Sequence, residues 1–215
     1  MQVTAAAKKS MMTVDPVTLD GTHVRLEPLT AGHVPALARV GLEPAIWRWG
    51  LSMLTTEDDM RAYVETALAE QRRGVSLPFA IVDRARDVVI GSTRYGNIVP
   101  ADHRLEIGWT WLTPSQQRTA ANTEAKLLLL THAFEALGAM RVEFKTDALN
   151  LQSRAAIARL GAVEEGTFRK HMLTASGRVR DSVYFSILDT EWPAIKARLT
   201  SKLAAAPERP STAMQ

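Results

Sequence analysis

The residues whose types and spacing suggest chemistry lie in a loop, residues 113–122, between a β-prone run that ends at Leu112 and a helical pattern. The loop holds small and polar residues and one cation, Arg118. Such a loop exposes backbone N–H groups at the positive end of the following helix dipole, which suits a pyrophosphate, and Arg118 would add a positive charge. The same pattern also fits an ordinary strand-to-helix turn capped by Asn122 or Thr123.

Hydropathy patterning predicts the elements that must position this loop. Before it, three β-prone runs are typical of an antiparallel meander: 79–82, 88–95 and 105–112. After it, the apolar period changes from about 2 to about 3.6 residues, which predicts a helix over residues 122–137. The later predicted elements are a strand, a short helix, a hairpin and a closing helix, over residues 141–148, 150–161, 167–188 and 191–203.

The first part of the domain carries one strand pattern and one well-marked helix. Residues 23–27 alternate polar and apolar side chains, as a half-buried strand does. Thr56 and Asp59 match a helix start, and Gly74 stands where a left-handed C-cap is expected. Residues 60–68 place an apolar face between these two ends, which predicts an amphipathic helix.

The composition fits one globular domain, because 46% of the 215 residues are hydrophobic and 23% are charged. We predict this domain over residues 16–203. Residues 1–15 and 204–215 are rich in Ala, Lys, Ser, Thr and Pro without apolar periodicity, which predicts disordered tails.

Several functional classes are disfavoured by what the sequence lacks. The absence of cysteine excludes disulfides, a thiolate nucleophile and a cysteine-ligated metal, and it fits a reducing compartment, for which the cytoplasm is the simplest expectation. No apolar stretch approaches a membrane span, and the histidines show no metal-binding spacing, so we predict no membrane segment and no metal. The net charge of +3 and the short basic runs do not favour nucleic-acid binding. The loop after Leu112 also lacks the glycines of a dinucleotide-binding Rossmann unit.

The stretch Gln117-Arg118-Thr119-Ala120-Ala121-Asn122 resembles the acetyl-CoA loop of the GNAT acetyltransferase superfamily, whose pattern is Gln/Arg-x-x-Gly-x-Gly/Ala. Together with residues 105–112, residues 141–147 and the motif Asn150-x-x-Ser153-Arg154, it is similar to the branch of ribosomal-protein N-terminal acetyltransferases, the RimJ/RimL type. The resemblance covers residues 17–190. The loop departs from the pattern at Ala120, where the glycine would stand, and at Asn122.

The resemblance implies an α+β fold whose central, mostly antiparallel seven-stranded sheet contains one splayed parallel pair and is flanked by helices. The pair would be residues 105–112 and 141–148, with pantetheine along the free edge of the first strand. Asn150 would contact the pantetheine or the acetyl arm, or would simply cap a helix. Acetyl-CoA is the implied cofactor, and the implied cofactor-binding residues are Trp111, Leu112, Thr113, Gln117, Arg118, Thr119, Ala120, Ala121, Asn122, Thr123, Asn150 and Arg154.

Acetyl transfer to an amine needs a proton acceptor for the ammonium and a donor for the leaving thiolate. Glu106, on the strand beside the expected thioester, is the candidate base; alternatively it is a carboxylate paired with a basic neighbour. Many family members use a tyrosine as the acid, but Ile157 stands at that position. In the RimJ/RimL-type branch a serine takes this place, which matches Ser153, although a capping role is equally open.

The family places its acceptor pocket in the helical segment after the first strand, which here contains Trp47 and Trp49. These tryptophans, with Tyr95, are the candidate substrate-binding residues, and core packing is the alternative for each. The implied acceptor is a primary amine, either a peptide N-terminus or a small molecule. The resemblance and the strand edges also suggest a homodimer.

Three functional hypotheses follow. The first is an acetyl-CoA-dependent N-acetyltransferase that works by direct attack in a ternary complex. The second is a catalytically silent acyl-CoA binding or sensing module, suggested by Ala120, Asn122 and the missing tyrosine. The third has basic tails that recruit a ribosome or RNA, with acetylation secondary.

Overall fold

The computed structural model describes residues 11–205, which build one eight-stranded sheet with helices packed on both faces. The strand order is β1-β2-β3-β4-β5-β6-β8-β7, and all neighbours are antiparallel except β5 and β6. The strands are β1 Leu19–Asp20, β2 Val24–Pro28, β3 Leu77–Asp83, β4 Val88–Val99, β5 Arg104–Leu112, β6 Arg141–Asp147, β7 Val163–Leu173 and β8 Val179–Leu188.

The predicted α+β class, with its mostly antiparallel sheet and one parallel pair, is confirmed, but the part of the chain that the structure describes forms eight strands rather than seven. The additional strand is β1, which pairs Leu19 with Leu26 and Asp20 with Arg25. Two residues are too few to show a period-two pattern, so this strand leaves no signal in the sequence.

Six α-helices accompany the sheet in the described residues: α1 Val34–Gly41, α2 Pro44–Trp47, α3 Glu57–Arg72, α4 Ala120–Thr131, α5 Leu151–Leu160 and α6 Trp192–Ala204. None of them combines the length and the hydropathy that a bilayer crossing requires. α4 continues into a π-helical turn, His132–Ala136, within the region predicted as one helix. Short 3₁₀ turns, Ala31–His33, Pro100–Asp102 and Pro114–Gln116, link other elements.

Both faces of the sheet are covered, so the central strands are buried on both sides. On one face, Phe79 and Ile81 of β3 pack in the cluster that includes Leu129 of α4. On the other face, Ala80 packs with Met60 of α3. Successive side chains of β3 point to two buried faces in turn, which explains why the strand is apolar from Leu77 to Val82.

The predicted caps of α3 and α5 are confirmed. The Thr56 hydroxyl accepts from the Asp59 amide at 3.1 Å, and the Asp59 carboxylate accepts from the Thr56 amide at 2.9 Å, which forms a capping box. Gly74 ends the helix region with a φ of +73°. Asn150 Oδ1 accepts from the Ser153 amide at 3.0 Å and so caps α5.

The start of α4 differs from the prediction. The helix begins at Ala120, and its N-cap is Thr119, whose hydroxyl accepts from the Ala121 amide at 3.2 Å. Asn122 and Thr123, the predicted caps, therefore lie inside the first turn. The helix starts earlier because Thr119 has the extended backbone of an N-cap and a hydroxyl that can reach the next turn.

The N-terminal boundary of the packed chain also differs from the predicted one. Met12 is buried in the core, and its amide donates to the Pro100 carbonyl at 3.4 Å, although it falls in the predicted tail of residues 1–15. The rest of the tail prediction, residues 1–10 and 206–215, lies outside the described residues.

The parallel strands β5 and β6 pair only at their beginnings. The register joins Arg104 to Arg141, Leu105 to Val142 and Glu106 to Glu143. β5 nevertheless continues to Leu112, and β6 to Asp147. The two strands therefore diverge after Glu106, and beyond it the backbone edge of β5 that faces β6 has no strand partner within residues 11–205.

A β-bulge in β5 accompanies this divergence. Ser92 of β4 lies opposite Trp111 and Arg94 lies opposite Gly108, so two residues of β5 face one residue of β4. Trp109, within the bulge, has a φ of +50°. A bulge bends its strand and increases its twist, which helps to turn β5 away from β6.

Candidate active site

A cleft of about 1400 Å³ opens where β5 and β6 diverge. Its walls come from both strand ends, the start of α4, α5 and the segment after α2. Most of the predicted site residues line this one cleft: Trp47, Trp49, Glu106, Trp111, Leu112, Gln117, Arg118, Thr119, Ala120, Ala121, Asn122, Thr123, Asn150 and Ser153. The fold thus brings together residues that are about 100 positions apart in the sequence.

Three predicted site residues do not line the cleft. Tyr95 is a core residue: its ring is fully buried and its hydroxyl donates to the Leu129 carbonyl at 2.6 Å, so its assignment as a substrate-binding residue is wrong. Arg154 instead forms an ion pair with Glu164 at 3.1 Å. The Thr113 amide donates to the carbonyl of Ile90 at 2.9 Å. Arg154 and Thr113 are therefore placed by contacts within the protein.

The loop before α4 presents an anion-binding geometry. The Thr119 hydroxyl satisfies the Ala121 amide and donates to the Gln116 carbonyl at 2.8 Å, which fixes the first turn. The other first-turn amides have no acceptor within the helix and lie at its positive end. Arg118, with a φ of +60°, is exposed beside them and forms no ion pair with any described residue. This end of the cleft can therefore hold a phosphate group.

A buried carboxylate, Glu124, ties the same helix to the turn between β1 and β2. Its oxygens accept from the amides of Thr22 at 2.8 Å, His23 at 2.6 Å and Val24 at 2.7 Å. Gly21 leaves room for the contact, since a Cβ there would lie 2.6 Å from the carboxylate. Thr22 and His23 line the cleft, so Glu124 positions part of its wall. The sequence analysis did not identify this residue.

Glu106 lies at the point where β5 and β6 separate, and it is both paired and open to the cleft. Its side chain is 3% exposed, accepts from Asn97 Nδ2 at 2.7 Å and forms an ion pair with Lys145 Nζ at 3.3 Å. Asn97 reaches it from a second bulge, where its φ is +47°. A Cβ on Gly108 would lie 2.8 Å from Glu106 Oε1, so the glycine keeps the carboxylate unobstructed.

Lys126 of α4 is a second ionisable group that lines the cleft. It is buried, and its Nζ donates to Thr110 Oγ1 at 2.5 Å. Burial lowers the pKa of Lys126 to about 7, although the charge of Glu106 acts in the opposite direction. The sequence did contain a signal, because Lys126 lies on the helical stripe of Leu129 and Leu130, where a charge is out of place.

Ser153 and Asn150 form the α5 side of the cleft. Asn150 has the capping role described above, and the half-buried side chain of Ser153 faces the cleft one turn further on. Ile157, at the position where many family members carry the tyrosine, also lines the cleft.

The two predicted acceptor-site tryptophans differ in their surroundings. Trp47 is buried, donates from Nε1 to the Gly41 carbonyl at 2.7 Å and packs against Trp111 at a ring distance of 5.5 Å. Trp49 is half-buried, and the guanidinium of Arg178 lies 5.7 Å from its ring. Trp47 thus forms a fixed wall, whereas Trp49 connects the segment after α2 with the β7–β8 turn.

Charged side chains of β6 and β8 complete the wall opposite β5. Asp147 is buried and forms an ion pair with Arg178. Arg180 is also buried, lines the cleft and donates from Nε to Ser182 Oγ at 3.1 Å. Neither Arg178 nor Arg180 was identified from the sequence. No described residues form a cluster of three or more acidic or histidine side chains suited to a metal ion, and the predicted absence of a metal stays a prediction.

The site matches the acetyltransferase architecture that the sequence resemblance implied. It has a splayed pair of parallel strands, a helix N-terminus at the open end of the pair and a buried carboxylate at its vertex. The family model described as acetyltransferase (GNAT) domain matches residues 23–163, and the chain belongs to this family. It is an acetyltransferase, and the sequence-based assignment to the RimJ/RimL-like branch is confirmed.

The comparisons with individual proteins agree with this assignment. A GCN5-related N-acetyltransferase from Brucella melitensis is 34% identical, with a TM-score of 0.83 over 89% of this chain and 87% of that one. Mycobacterium smegmatis RimJ in complex with CoA-disulfide is 25% identical, with a TM-score of 0.74 over 90% of this chain and 98% of that one. The uncharacterized N-acetyltransferase YnaD of Bacillus subtilis (strain 168) is 26% identical over 137 residues, which are 64% of this chain and 76% of that protein.

Proposed function

We propose that this acetyltransferase uses acetyl-CoA and acetylates a primary amine by direct attack within a ternary complex. The observation that carries the proposal is the continuity of one cleft from the free amides of α4 to the buried carboxylate of Glu106. A donor held along β5 and an amine that enters beside Glu106 would meet where the strands part.

The shape and chemistry of the cleft fit coenzyme A. The first-turn amides of α4 and Arg118 suit the phosphates. From Ile107 to Leu112, the free edge of β5 offers backbone hydrogen bonds to the amides of a pantetheine arm. The complex of RimJ with CoA-disulfide, a relative of the same fold, supports this assignment. When bound, acetyl-CoA supplies an activated acetyl thioester.

Glu106 is the proposed proton acceptor, because an ammonium must lose a proton before its nitrogen can act as a nucleophile. The bonds from Asn97 and Lys145 hold the carboxylate in place. Lys126 lies in the electrostatic field of Glu106, so its protonation changes the charge around the base. Ser153 is the proposed hydrogen-bond donor to the departing thiolate, since Ile157 has no proton to give.

The acceptor is proposed to be a peptide N-terminus or a small-molecule amine, bounded by Trp47 and Trp49. Trp49 contacts the β7–β8 turn, so two separate segments can close around an acceptor. A cytoplasmic location and a homodimer stay predictions from the sequence.

Calorimetric titration of the protein with acetyl-CoA, free coenzyme A and NAD tests the cofactor assignment. We expect micromolar binding of the two coenzyme A compounds and none of NAD. Turnover is then followed as free thiol released in the presence of amines, and the absence of cysteine from this chain removes any protein background. Failure to bind acetyl-CoA would refute the proposal, whereas binding without turnover on any amine would favour the silent acyl-CoA module.

A further inference from the structure

Of the three cations beside the cleft at β6 and the start of β8, which are Lys145, Arg178 and Arg180, only Arg180 is buried. Lys145 is paired with Glu106, and Arg178 is paired with Asp147. Arg180 is only 6% exposed, yet it forms no ion pair with any carboxylate in the described part of the chain. Burying a charge without a close counter-ion costs hydration free energy, which favours a role for Arg180 in binding a ligand.

The guanidinium of Arg180 is available to a ligand. Among the described residues, only Nε has a hydrogen-bond partner, Ser182 Oγ, and Arg180 lines the cleft. No Arg180 nitrogen is among the described groups that lack both a partner and solvent contact, so its terminal nitrogens keep some contact with solvent at the cleft that the residue lines. Glu43 is another carboxylate that lines the cleft, but it is exposed and so is not a buried counter-ion for Arg180. A fixed pair of N–H groups is the geometry that binds a carboxylate in a bidentate way.

The position of Arg180 assigns it to the acceptor rather than to coenzyme A. The β5 arm of the splay leads from Glu106 to the α4 loop over six residues, about 20 Å. Arg180 lies on the other arm, across β6, and it is within electrostatic range of Glu106 and Asp147. It therefore borders the part of the cleft where the amine must be deprotonated.

We propose that Arg180 binds a carboxylate that the acceptor carries close to its reactive amine. This inference rests on the proposed acetyl transfer to an amine. The substrate class is then an amine with a neighbouring carboxylate, which a free α-amino acid or a peptide with an acidic first residue would supply. Glu106 takes the proton of the ammonium, Arg180 holds the anionic group, and the two opposite charges orient the molecule between them.

The test compares acceptors that differ only in this charge. α-Amino acids are assayed beside their carboxamides, and peptides that begin with Asp beside peptides that begin with Asn, with kcat/KM expressed per neutral amine. We expect the wild type to favour the carboxylate member of at least one set by about 10- to 100-fold. The set that shows the preference identifies the source of the carboxylate.

Three variants separate binding from structure. Arg180→Met is expected to abolish the preference through a higher KM, while kcat on the neutral acceptors and acetyl-CoA affinity stay within about 3-fold of wild type. Arg180→Lys keeps the charge but not the fork, and should retain part of the preference. Arg169→Met removes an exposed cation from the same hairpin and should change nothing.

The outcomes distinguish this inference from the function on which it rests. Equal use of carboxylates and carboxamides, or an equal loss on both in Arg180→Met, would refute the role of Arg180 and leave acetylation intact. Loss of acetyl-CoA affinity in Arg180→Met would also refute it. If acetyl-CoA binds and no amine is acetylated, the proposed function fails, and the inference fails with it.

Discussion

The two ends of the cleft present different kinds of chemical group to a ligand. At the α4 end, the groups available to a ligand are backbone amides and one exposed cation, Arg118. Near the vertex of the splay, they are buried charged side chains: Glu106, and Lys126, which lies within electrostatic range of Glu106. At the α4 end, several backbone amides are fixed by the helix, so ligand binding does not depend on any single residue. At the vertex, each buried charge is held by only a few partners.

This difference predicts how mutations act at each end. Loss of one group at the α4 end should lower affinity by a modest factor, because the remaining amides still bind the ligand. Loss of one buried charge at the vertex should change turnover, pH dependence or stability sharply, because a low-dielectric site magnifies each charge.

The largest expected effect is that of Glu106→Gln. Removing a general base typically costs about 10²- to 10⁴-fold in rate, so we expect kcat to fall by that factor. Acetyl-CoA affinity should stay within about 2-fold, because the phosphates bind at the other end of the cleft. Thiol release measures kcat, and calorimetry measures affinity. Glu43→Gln, an exposed carboxylate that also lines the cleft, is the control. Normal turnover in Glu106→Gln would show that the vertex is not the chemical centre.

The next effect is the pH dependence of stability that Lys126 causes. Below pH 7 the lysine is protonated in both the folded and the unfolded state, so the folded state bears the full cost of a buried charge. Between its folded pKa of about 7 and the unfolded value of 10.5, only the unfolded state holds the proton. The free energy of unfolding should therefore rise with pH in this window, by about 1.4 kcal/mol per pH unit.

Lys126→Met should lack that rise. Urea unfolding at pH 6, 7, 8 and 9 gives the stability of the wild type relative to the variant, which we expect to be flat from pH 6 to 7 and to increase above pH 7. Lys202→Met, which removes an exposed lysine at the cleft, should show no such trend. A constant difference between wild type and Lys126→Met across the whole series would mean that the lysine is solvated.

Glu124→Gln sharpens the comparison at the α4 end, where one buried side chain supplements the backbone. The carboxylate accepts three amides, and a glutamine would turn an NH₂ group towards at least one of them. We expect a loss of about 2 kcal/mol in the free energy of unfolding, measured in urea, and a smaller change in acetyl-CoA affinity. Glu65→Gln, an exposed carboxylate on α3, should have no measurable effect. Unchanged stability in Glu124→Gln would show that the β1–β2 turn does not depend on the carboxylate.

The parts of the fold with strong local patterns could be predicted from the sequence. α3 has a capping box and an apolar face, and the α5 cap depends on contacts within a few residues. β1 could not be predicted, because two residues show no period. The N-cap of α4 was ambiguous because Thr119, Asn122 and Thr123 all have capping side chains, and only the backbone conformation selects Thr119.

The candidate site divides in the same way. The part of the site that consists of backbone amides follows from the loop pattern of residues 117–122, so the sequence analysis could name the residues at the start of α4 as one group. Tyr95 was assigned to the substrate site although it lies in the core. Because β4 is buried on both faces, the alternation of its side chains cannot show which of them reaches a cleft. Arg180 was missed because a charged residue is expected at the surface, and only tertiary packing reveals that it is buried. Lys126 was overlooked although its position on the apolar stripe of Leu129 and Leu130 was a signal in the sequence.

The smallest expected effect, that of Arg118→Met, is also the most direct check of the contrast between the two ends. Arg118 is exposed, so its attraction to a phosphate is screened, and we expect acetyl-CoA to bind only about 3- to 10-fold more weakly. The difference from wild type should shrink as salt is raised in the titration, because the lost contribution is electrostatic. Arg39→Met, an exposed arginine on α1, controls for net charge. A loss of about 1000-fold in Arg118→Met would mean that one side chain, rather than the amides of α4, holds the phosphates, and the two ends would then depend on single residues alike.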